Sequence, residues 1–264
     1  MYGEVQTTEQ LTPTMVRVVL GGGDLADFTS TPYSDQYINA QFIPAGAPYA
    51  PPFDTDELGD IGAEHRPRPR RYTVRRWDAD RQELTIDFVA HGDEGYAGPW
   101  AQRAQPGDRL QFKGPGGGYR PDPDAAWHLL AGDESALPAI AASMEALPAG
   151  AKAAVFLVVD SPEDELELTS PGDVDLRWLH RNGSEDASAL LPDAIAAMDF
   201  ADGPVDVFVH GEAGEVRAVR RHLVGERGID KDAASISPYW RRTMNDEEWR
   251  AIKRDWIADQ AKDV

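Results

Sequence analysis

The chain has 264 residues, enough for two ordinary domains, and its 46 acidic against 26 basic side chains give a formal net charge of −20. That charge excludes non-specific binding to nucleic acid or to an anionic membrane surface, since both need a positive face. Cysteine is absent, which excludes disulfides, iron–sulfur clusters, zinc thiolates and redox thiol pairs, so any electron chemistry here needs a borrowed cofactor.

Short β-branched runs at residues 15–20 and 37–42, separated by Gly, Pro and Asp clusters, predict strands. Residues 44–64, rich in Pro, Gly and acids, make a longer connection than compact domains usually use. It reads equally as a lid or as a disordered insertion without a role. Residues 66–76 hold six Arg in eleven positions, interrupted by Pro67, Pro69, Tyr72 and Thr73. Guanidinium forks clustered in so acidic a chain point to an anion such as a pyrophosphate or carboxylate; the alternative is charge that blunts a solvated strand edge. Residues 71–77 and 83–90 predict a hairpin. In its second arm Leu84, Ile86 and Phe88 alternate with Thr85, Asp87 and Val89, so one face packs the core and the other can meet a ligand.

Beyond Pro121 and Pro123, apolar runs at 127–131, 153–159, 176–179 and 205–209 interleave with helical patterns, predicting a parallel sheet with crossover helices. Ser135 reads as an N-cap, with Leu137, Ile140, Ala141, Met144 and Leu147 on one helical face before Pro148 and Gly150. It does not read as a hydrolase nucleophile, because the elbow needs Gly two positions either side and the chain has Asp133 and Leu137 there. No Gly-x-Gly-x-x-Gly follows a strand, so a Rossmann dinucleotide site of the common type is not supported. Residues 246–262 carry Trp249, Ile252, Trp256 and Ile257 at helical spacing, predicting a C-terminal helix that docks an aromatic stripe. The six His are scattered without metal-ligand spacing, so no protein metal site is expected. No run approaches the roughly 18 apolar residues of a membrane span, and the opening MYGEVQTTEQ lacks a secretion pattern, so no membrane insertion and a cytoplasmic location are expected.

Arg70-Arg71-Tyr72-Thr73 fits the pattern Arg-x-Tyr-Ser/Thr. It is followed in order by Asp87-Phe88-Val89-Ala90-His91-Gly92, Gly95-Tyr96-Ala97-Gly98-Pro99-Trp100-Ala101, Gly107-Asp108 and Gly114-Pro115-Gly116-Gly117. Leu129-Leu130-Ala131-Gly132-Asp133-Glu134-Ser135-Ala136-Leu137-Pro138-Ala139-Ile140, Gly211-Glu212-Ala213 and Tyr239-Trp240-Arg241 complete the series. In this series the chain resembles the siderophore-interacting proteins, flavoenzymes of the ferredoxin-reductase superfamily. The resemblance implies two domains: an antiparallel β-barrel FAD-binding domain over residues 1–122, then an α/β parallel-sheet nicotinamide-binding-like domain over 123–264 that includes the C-terminal helix. That helix would lie close to the nicotinamide side of the flavin.

By the same resemblance Arg70 grips the FAD pyrophosphate, while Tyr72 and Thr73 are the catalytic pair, Tyr72 against the flavin ring and Thr73 bonding near its reactive nitrogen. Strand alternation puts Thr73 on the face opposite Arg70 and Tyr72, so backbone curvature must bring it round. Asp87, Phe88 and Val89 would hold the polar edge of the flavin through main-chain groups. His91 would pack along the cofactor or, alternatively, satisfy a strand terminus. Gly95, Ala97, Trp100 and Ala101 belong to the turn and short helix over the pyrophosphate, with Tyr96 where the family usually has Pro. Asp133, Ser135 and Trp240 are cofactor contacts of the second half. Arg66, Arg68 and Lys113 form the landing site for an anionic ferric siderophore, Lys113 reading equally as an exposed strand charge.

The expected function is FAD-dependent reduction of the siderophore's Fe(III) to Fe(II), releasing iron in the cytoplasm. NADH is the expected donor, with NADPH or reduced ferredoxin as alternatives. After Val159 come Asp160, Glu163, Asp164, Glu165 and Glu167, with no Arg or Lys before Arg177, and acids repel a 2′-phosphate while accepting from a ribose hydroxyl. A general NAD(P)H-dependent flavin reductase, a ferredoxin-linked electron-transfer flavoprotein and a nonenzymatic siderophore-binding module remain open. Intact Arg70, Tyr72 and Thr73 weigh against the last.

Overall fold

A computed structural model describes residues 1–264 apart from 60, 91, 94, 185, 186, 261 and 264. The chain divides into two units, Met1–Gly118 and Tyr119–Val264. The first contains β1 (Tyr2–Thr12), β2 (Met15–Gly21), β3 (Tyr37–Phe42), β4 (Arg68–Thr73), β5 (Arg76–Asp78), β6 (Glu83–Val89), α1 (Ala97–Arg103) and β7 (Arg109–Gly116). Its strands form one seven-stranded sheet in the order β4-β3-β7-β1-β2-β6-β5, antiparallel at every pairing.

The two edge strands of that sheet are neighbours in sequence. Only Val74 and Arg75 separate β4 from β5, and their amides donate to opposite sides: Val74 to the Gln36 carbonyl beside β3 at 2.7 Å, Arg75 to the Thr85 carbonyl of β6 at 2.9 Å. The chain thereby steps from one edge to the other and curls the sheet into a barrel, with β4 and β5 each paired to one neighbour. Val74 is buried in the resulting core with Leu20, Ile38, Ala40, Leu84, Ile86, Phe88 and Phe112. The hairpin expected over 71–77 and 83–90 is therefore shorter. Only Arg76–Asp78 pairs with β6, while Arg71, Tyr72 and Thr73 pair with β3.

Alternation in β6 holds, with Leu84, Ile86 and Phe88 in the core. Its opposite face does not simply meet solvent. The Asp87 carboxylate is buried and takes a bidentate pair from Arg17, its partner across the β2–β6 ladder, at 2.7 and 2.8 Å. Arg75 stands 3.9 Å away on the same carboxylate. The connection over residues 44–64 is tied down at two points. The Gln111 side-chain amide bonds both main-chain groups of Phe53, at 2.8 and 2.7 Å, and the Tyr49 hydroxyl donates to the His65 carbonyl.

The second unit contains β8 (Trp127–Asp133), α2 (Leu137–Glu145), β9 (Lys152–Val159), β10 (Asp173–His180), α3 (Leu190–Ala196), β11 (Val205–Glu212), α4 (Ala213–Arg220), β12 (Ala234–Trp240) and α5 (Asp246–Gln260). Its five strands are all parallel, in the order β10-β9-β8-β11-β12. β8 is buried at every position, as a central strand covered on both faces must be. The chain winds outward from β8 to β10 and then returns to β11, so the order reverses between β8 and β11. Open α/β sheets bind ligands beyond the strand C-termini at such a reversal. Ser135 is not the N-cap of α2: the helix starts at Leu137, and the Ser135 hydroxyl turns back to the Asp133 carboxylate. α5 ends at Gln260 and docks through Trp249, which is buried, donates its indole N–H to the Tyr239 carbonyl at 3.0 Å and packs on Trp256. Among the described residues no helix is long and apolar enough to cross a membrane.

The Arg17–Asp87 pair makes a direct test. Arg17→Met should lower the unfolding free energy by about 3 kcal/mol, because it removes the bidentate partner of a buried carboxylate and leaves Arg75 at 3.9 Å. The double variant Arg17→Met/Asp87→Leu should recover most of that loss in urea denaturation.

Candidate functional site

Register decides which arginines of the 66–76 segment act together. Arg68, Arg70 and Tyr72 pair with Phe42, Ala40 and Ile38 of β3, all core residues. Directly paired side chains share a face, so Arg68, Arg70 and Tyr72 lie on the inner face of the curved sheet. Arg71 pairs with Asn39, which pairs with Lys113 on its other side; these three lie on the outer face, where Arg71 stacks 5.2 Å from the Tyr37 ring. Arg68 and Lys113 are thus on opposite faces. Arg66 is exposed ahead of β4. The three residues expected to receive a siderophore are not brought to one surface.

On the inner face Tyr72 packs at 4.4 Å on Phe88, and Phe42 and Trp100 complete an aromatic cluster with centroid separations of 5.7 to 6.3 Å. Tyr72 and Phe88 belong to strands far apart in the sheet order, and closure of the barrel brings them together. Phe88 is wholly buried, so it supports Tyr72 from beneath. Thr73 is half-buried at the end of β4, immediately before the step through Val74 and Arg75, and its pairing with Tyr37 keeps it on the side of Arg71 rather than of Tyr72. β5 pairs with β6 only at Glu83–Thr85. Beyond that point, among the described residues, no strand pairs with the β5 side of β6 from Ile86 to Val89.

Tyr96 stands just ahead of α1, and the Arg68 and Arg70 guanidinium carbons lie 5.7 and 5.5 Å from its ring centroid. A ring face attracts each cation, and it gathers two like charges at one place. The Arg68 Nη2 donates to the Ala63 carbonyl at 3.1 Å; its Nε is buried and has no hydrogen-bond partner among the described residues. Ala97 and Ala101 fix α1 to the core. Gly98 allows the close approach, since a Cβ there would stand 3.2 Å from both the Val89 oxygen and the Ala90 Cα. His91 lies outside the described residues.

The second constellation sits at the strand C-termini where the parallel sheet reverses. Asp133 is buried and its two oxygens accept four hydrogen bonds: from the Ser135 N–H at 2.9 Å, the Ser135 hydroxyl, the Trp240 indole at 2.7 Å and the Glu212 N–H at 2.8 Å. Gly211 adopts φ +144° beside it, and a Cβ there would meet the Asp133 carboxylate at 2.7 Å. Burial, then the charge of Glu134, push the Asp133 carboxyl up to about 6 against the pull of Ser135, Trp240 and Arg181. Glu212 caps α4 by accepting from the Gly214 and Glu215 amides at 2.6 and 3.1 Å. Burial, then Asp133, push Glu215 up to about 7, although Arg242 donates to it at 2.9 Å. Arg181 joins Glu134 to Asp160, 2.9 Å from each; its guanidinium is held above its usual range because, although burial lowers it, those carboxylates raise it further.

Asp133, Ser135 and Trp240 are therefore brought together, with side-chain hydrogen bonds made to one another. Four members of this constellation escaped the sequence reading: Arg181, Glu212, Glu215 and Arg242. Glu212 carried a signal in Gly211-Glu212-Ala213. Arg181 carried none, because its partners are 47 and 21 residues away. The region is rich in carboxylates, and both arginines are committed to ion pairs. A phosphate meets acids there; a ribose hydroxyl meets acceptors.

Two family models match the chain: the siderophore-interacting FAD-binding domain over residues 4–119 and the siderophore-interacting protein over residues 125–243. The ferric vibriobactin reductase ViuB of Vibrio cholerae is 39% identical over 243 residues, covering 89% of this chain and 87% of that protein. The NADPH-dependent ferric-chelate reductase of Escherichia coli is 32% identical over 241 residues, covering 89% of this chain and 91% of that one. Among solved structures, the siderophore-interacting protein SipS from Aeromonas hydrophila aligns with a TM-score of 0.83 at 30% identity over 98% of each chain.

Glu215 gives the acid cluster a measurable signature. Its carboxyl titrates near 7 in the fold against roughly 4.3 in an unfolded chain. The native state thus holds the extra proton between those values, and stability falls as pH rises through that window. The unfolding free energy should drop between pH 5 and pH 8, by up to about 3 kcal/mol from this group. Glu215→Gln should flatten the profile; an equally steep profile in the variant would place the effect elsewhere.

Proposed function

The chain belongs to the siderophore-interacting protein family, and from that premise we propose that it reduces the Fe(III) of an anionic ferric siderophore to Fe(II) through FAD held by its first unit. The observation that carries this reading is the inner face of β4, where Tyr72, Arg70 and Arg68 follow one another beside an aromatic cluster and the Tyr96 ring. A planar ring system joined to a diphosphate fits that order, and the buried Nε of Arg68, unpartnered among the described residues, is a donor that such an anion would satisfy.

When bound, FAD supplies a carrier that takes electrons as a pair and gives them up singly, which no side chain of this chain can do. The chain's own residues bind and orient. Tyr72, backed by Phe88, presents a ring for the flavin to stack on. Arg70 offers its fork to the diphosphate. Thr73 offers a hydroxyl near the reactive edge, and the open side of β6 at Asp87, Phe88 and Val89 offers main-chain groups to the polar edge. The Asp87 carboxylate has a different task, holding Arg17.

Siderophores hold Fe(III) with hard oxygen donors and hold Fe(II) much less tightly, so reduction becomes release. Arg71 and Lys113, side by side across Asn39, and the exposed Arg66 are cations suited to an anionic surface. In this reading the iron is freed in the cytoplasm, the compartment that supplies NADH. NADH fits the second unit better than NADPH: the carboxylates of Asp133, Glu134, Glu212 and Glu215 surround the sheet's reversal point, while Arg181 and Arg242 are paired.

Two measurements test this. Stopped-flow reduction of the FAD-loaded protein should be faster with NADH than with NADPH at equal concentration, and the reverse order would reject the donor assignment. Arg71→Gln/Lys113→Gln should raise the KM for an anionic ferric siderophore by about tenfold, the effect of two lost charge contacts, and leave flavin reduction unchanged. A variant with unaltered KM would move the landing site off the outer face.

A further inference from the structure

Arg68 and Arg70 are two residues apart on one strand face and cover the same Tyr96 ring, at 5.7 and 5.5 Å. Arg68 is oriented as if for a ligand rather than for the fold. One of its terminal nitrogens is anchored on the Ala63 carbonyl at 3.1 Å, which fixes the plane of the guanidinium. Its Nε is buried with no acceptor among the described residues, and a buried donor in that state calls for a partner that arrives from outside. The Tyr96 ring gathers the two cations, and a dianionic group between or beside them would offset the repulsion between their charges.

The order along the strand points to the anion. Successive same-face residues on a strand are about 6.6 Å apart, so the inner face of β4 presents Tyr72, then Arg70, then Arg68 as a graded series. An FAD molecule presents its ring, then the phosphate on the ribityl side, then the phosphate on the adenosine side, in the same order. We propose that Arg68 is a second diphosphate ligand, taking the adenosine-side phosphate, and that it sets the preference for FAD over FMN. This rests on the reading of Tyr72 and Arg70 as flavin contacts, and it removes Arg68 from the siderophore landing site.

Flavin-stripped full-length protein titrated with FAD and with FMN, followed by quenching of flavin fluorescence, separates the roles. Arg68→Gln should weaken FAD about tenfold to a hundredfold, the loss of a charge-assisted contact, and shift FMN by less than about threefold. Arg70→Gln should weaken both, because both flavins carry the ribityl-side phosphate. Arg68→Lys, which keeps the charge but lacks the planar fork, should also lose FAD preference, and it serves if the Gln variant does not fold. If Arg68→Gln leaves FAD affinity unchanged while Arg70→Gln lowers it, Arg68 is no ligand and the flavin site itself stands. Equal weakening of FAD and FMN by Arg68→Gln also overturns the proposal, since it would mean a general effect on the site. If neither variant changes either affinity, the flavin reading of β4 fails along with it.

Discussion

Closure of the first sheet at Val74 and Arg75 is the constraint on which the proposed flavin site depends. Two consecutive amides donate to opposite edges, to Gln36 and to Thr85, so the chain can leave β3 and join β6 without a loop. That step curls β4 over the barrel and sets Tyr72 on Phe88. It also ends β5 pairing at Thr85, which leaves one side of β6 beyond it without a paired strand among the described residues. A flat sheet with the same sequence would keep these residues on separate strands, far apart.

Charge is arranged with the same economy of position. The chain carries 20 more acidic than basic formal charges, yet six arginines fall in eleven residues, and strand alternation divides them between two faces. The inner pair, Arg68 and Arg70, shares an aromatic ring. The outer residue Arg71 adjoins Lys113 through Asn39. In the proposed reading, one short strand thus serves an anion on each side, a cofactor's diphosphate on one and an anionic substrate on the other. The second unit does the opposite at its sheet reversal, massing carboxylates around Asp133 and neutralising its arginines within the network.

Much of this was legible in the residues because the signals were local. The alternation of Leu84, Ile86 and Phe88 and the buried run of β8 each fall within one element and took the predicted form; the C-terminal helix formed as predicted but docks through Trp249, with Ile257 left exposed. What was not legible needed partners distant in sequence. The hairpin over 71–77 looked continuous because periodicity does not register that the chain changes edges at Val74. Ser135 looked like a helix cap because its nearest competitor, the Asp133 carboxylate, becomes an acceptor only in the folded turn. Grouping Arg68 with Lys113 followed charge alone, and the β3 register separates them. Arg181 could not be paired in advance with acids that follow the ends of two other strands, Glu134 after β8 and Asp160 after β9.

The account's central claim is that electrons held on FAD in this chain pass to siderophore-bound Fe(III). Protein loaded with FAD and reduced stoichiometrically without oxygen or excess donor, then mixed with a ferric siderophore and an Fe(II)-specific chromogenic chelator, tests it most directly. The account predicts that flavin absorbance returns as Fe(II) appears, with about two Fe(II) per FAD by electron balance. Flavin that stays reduced in the presence of the ferric siderophore, and reoxidises only when oxygen is admitted, would contradict it.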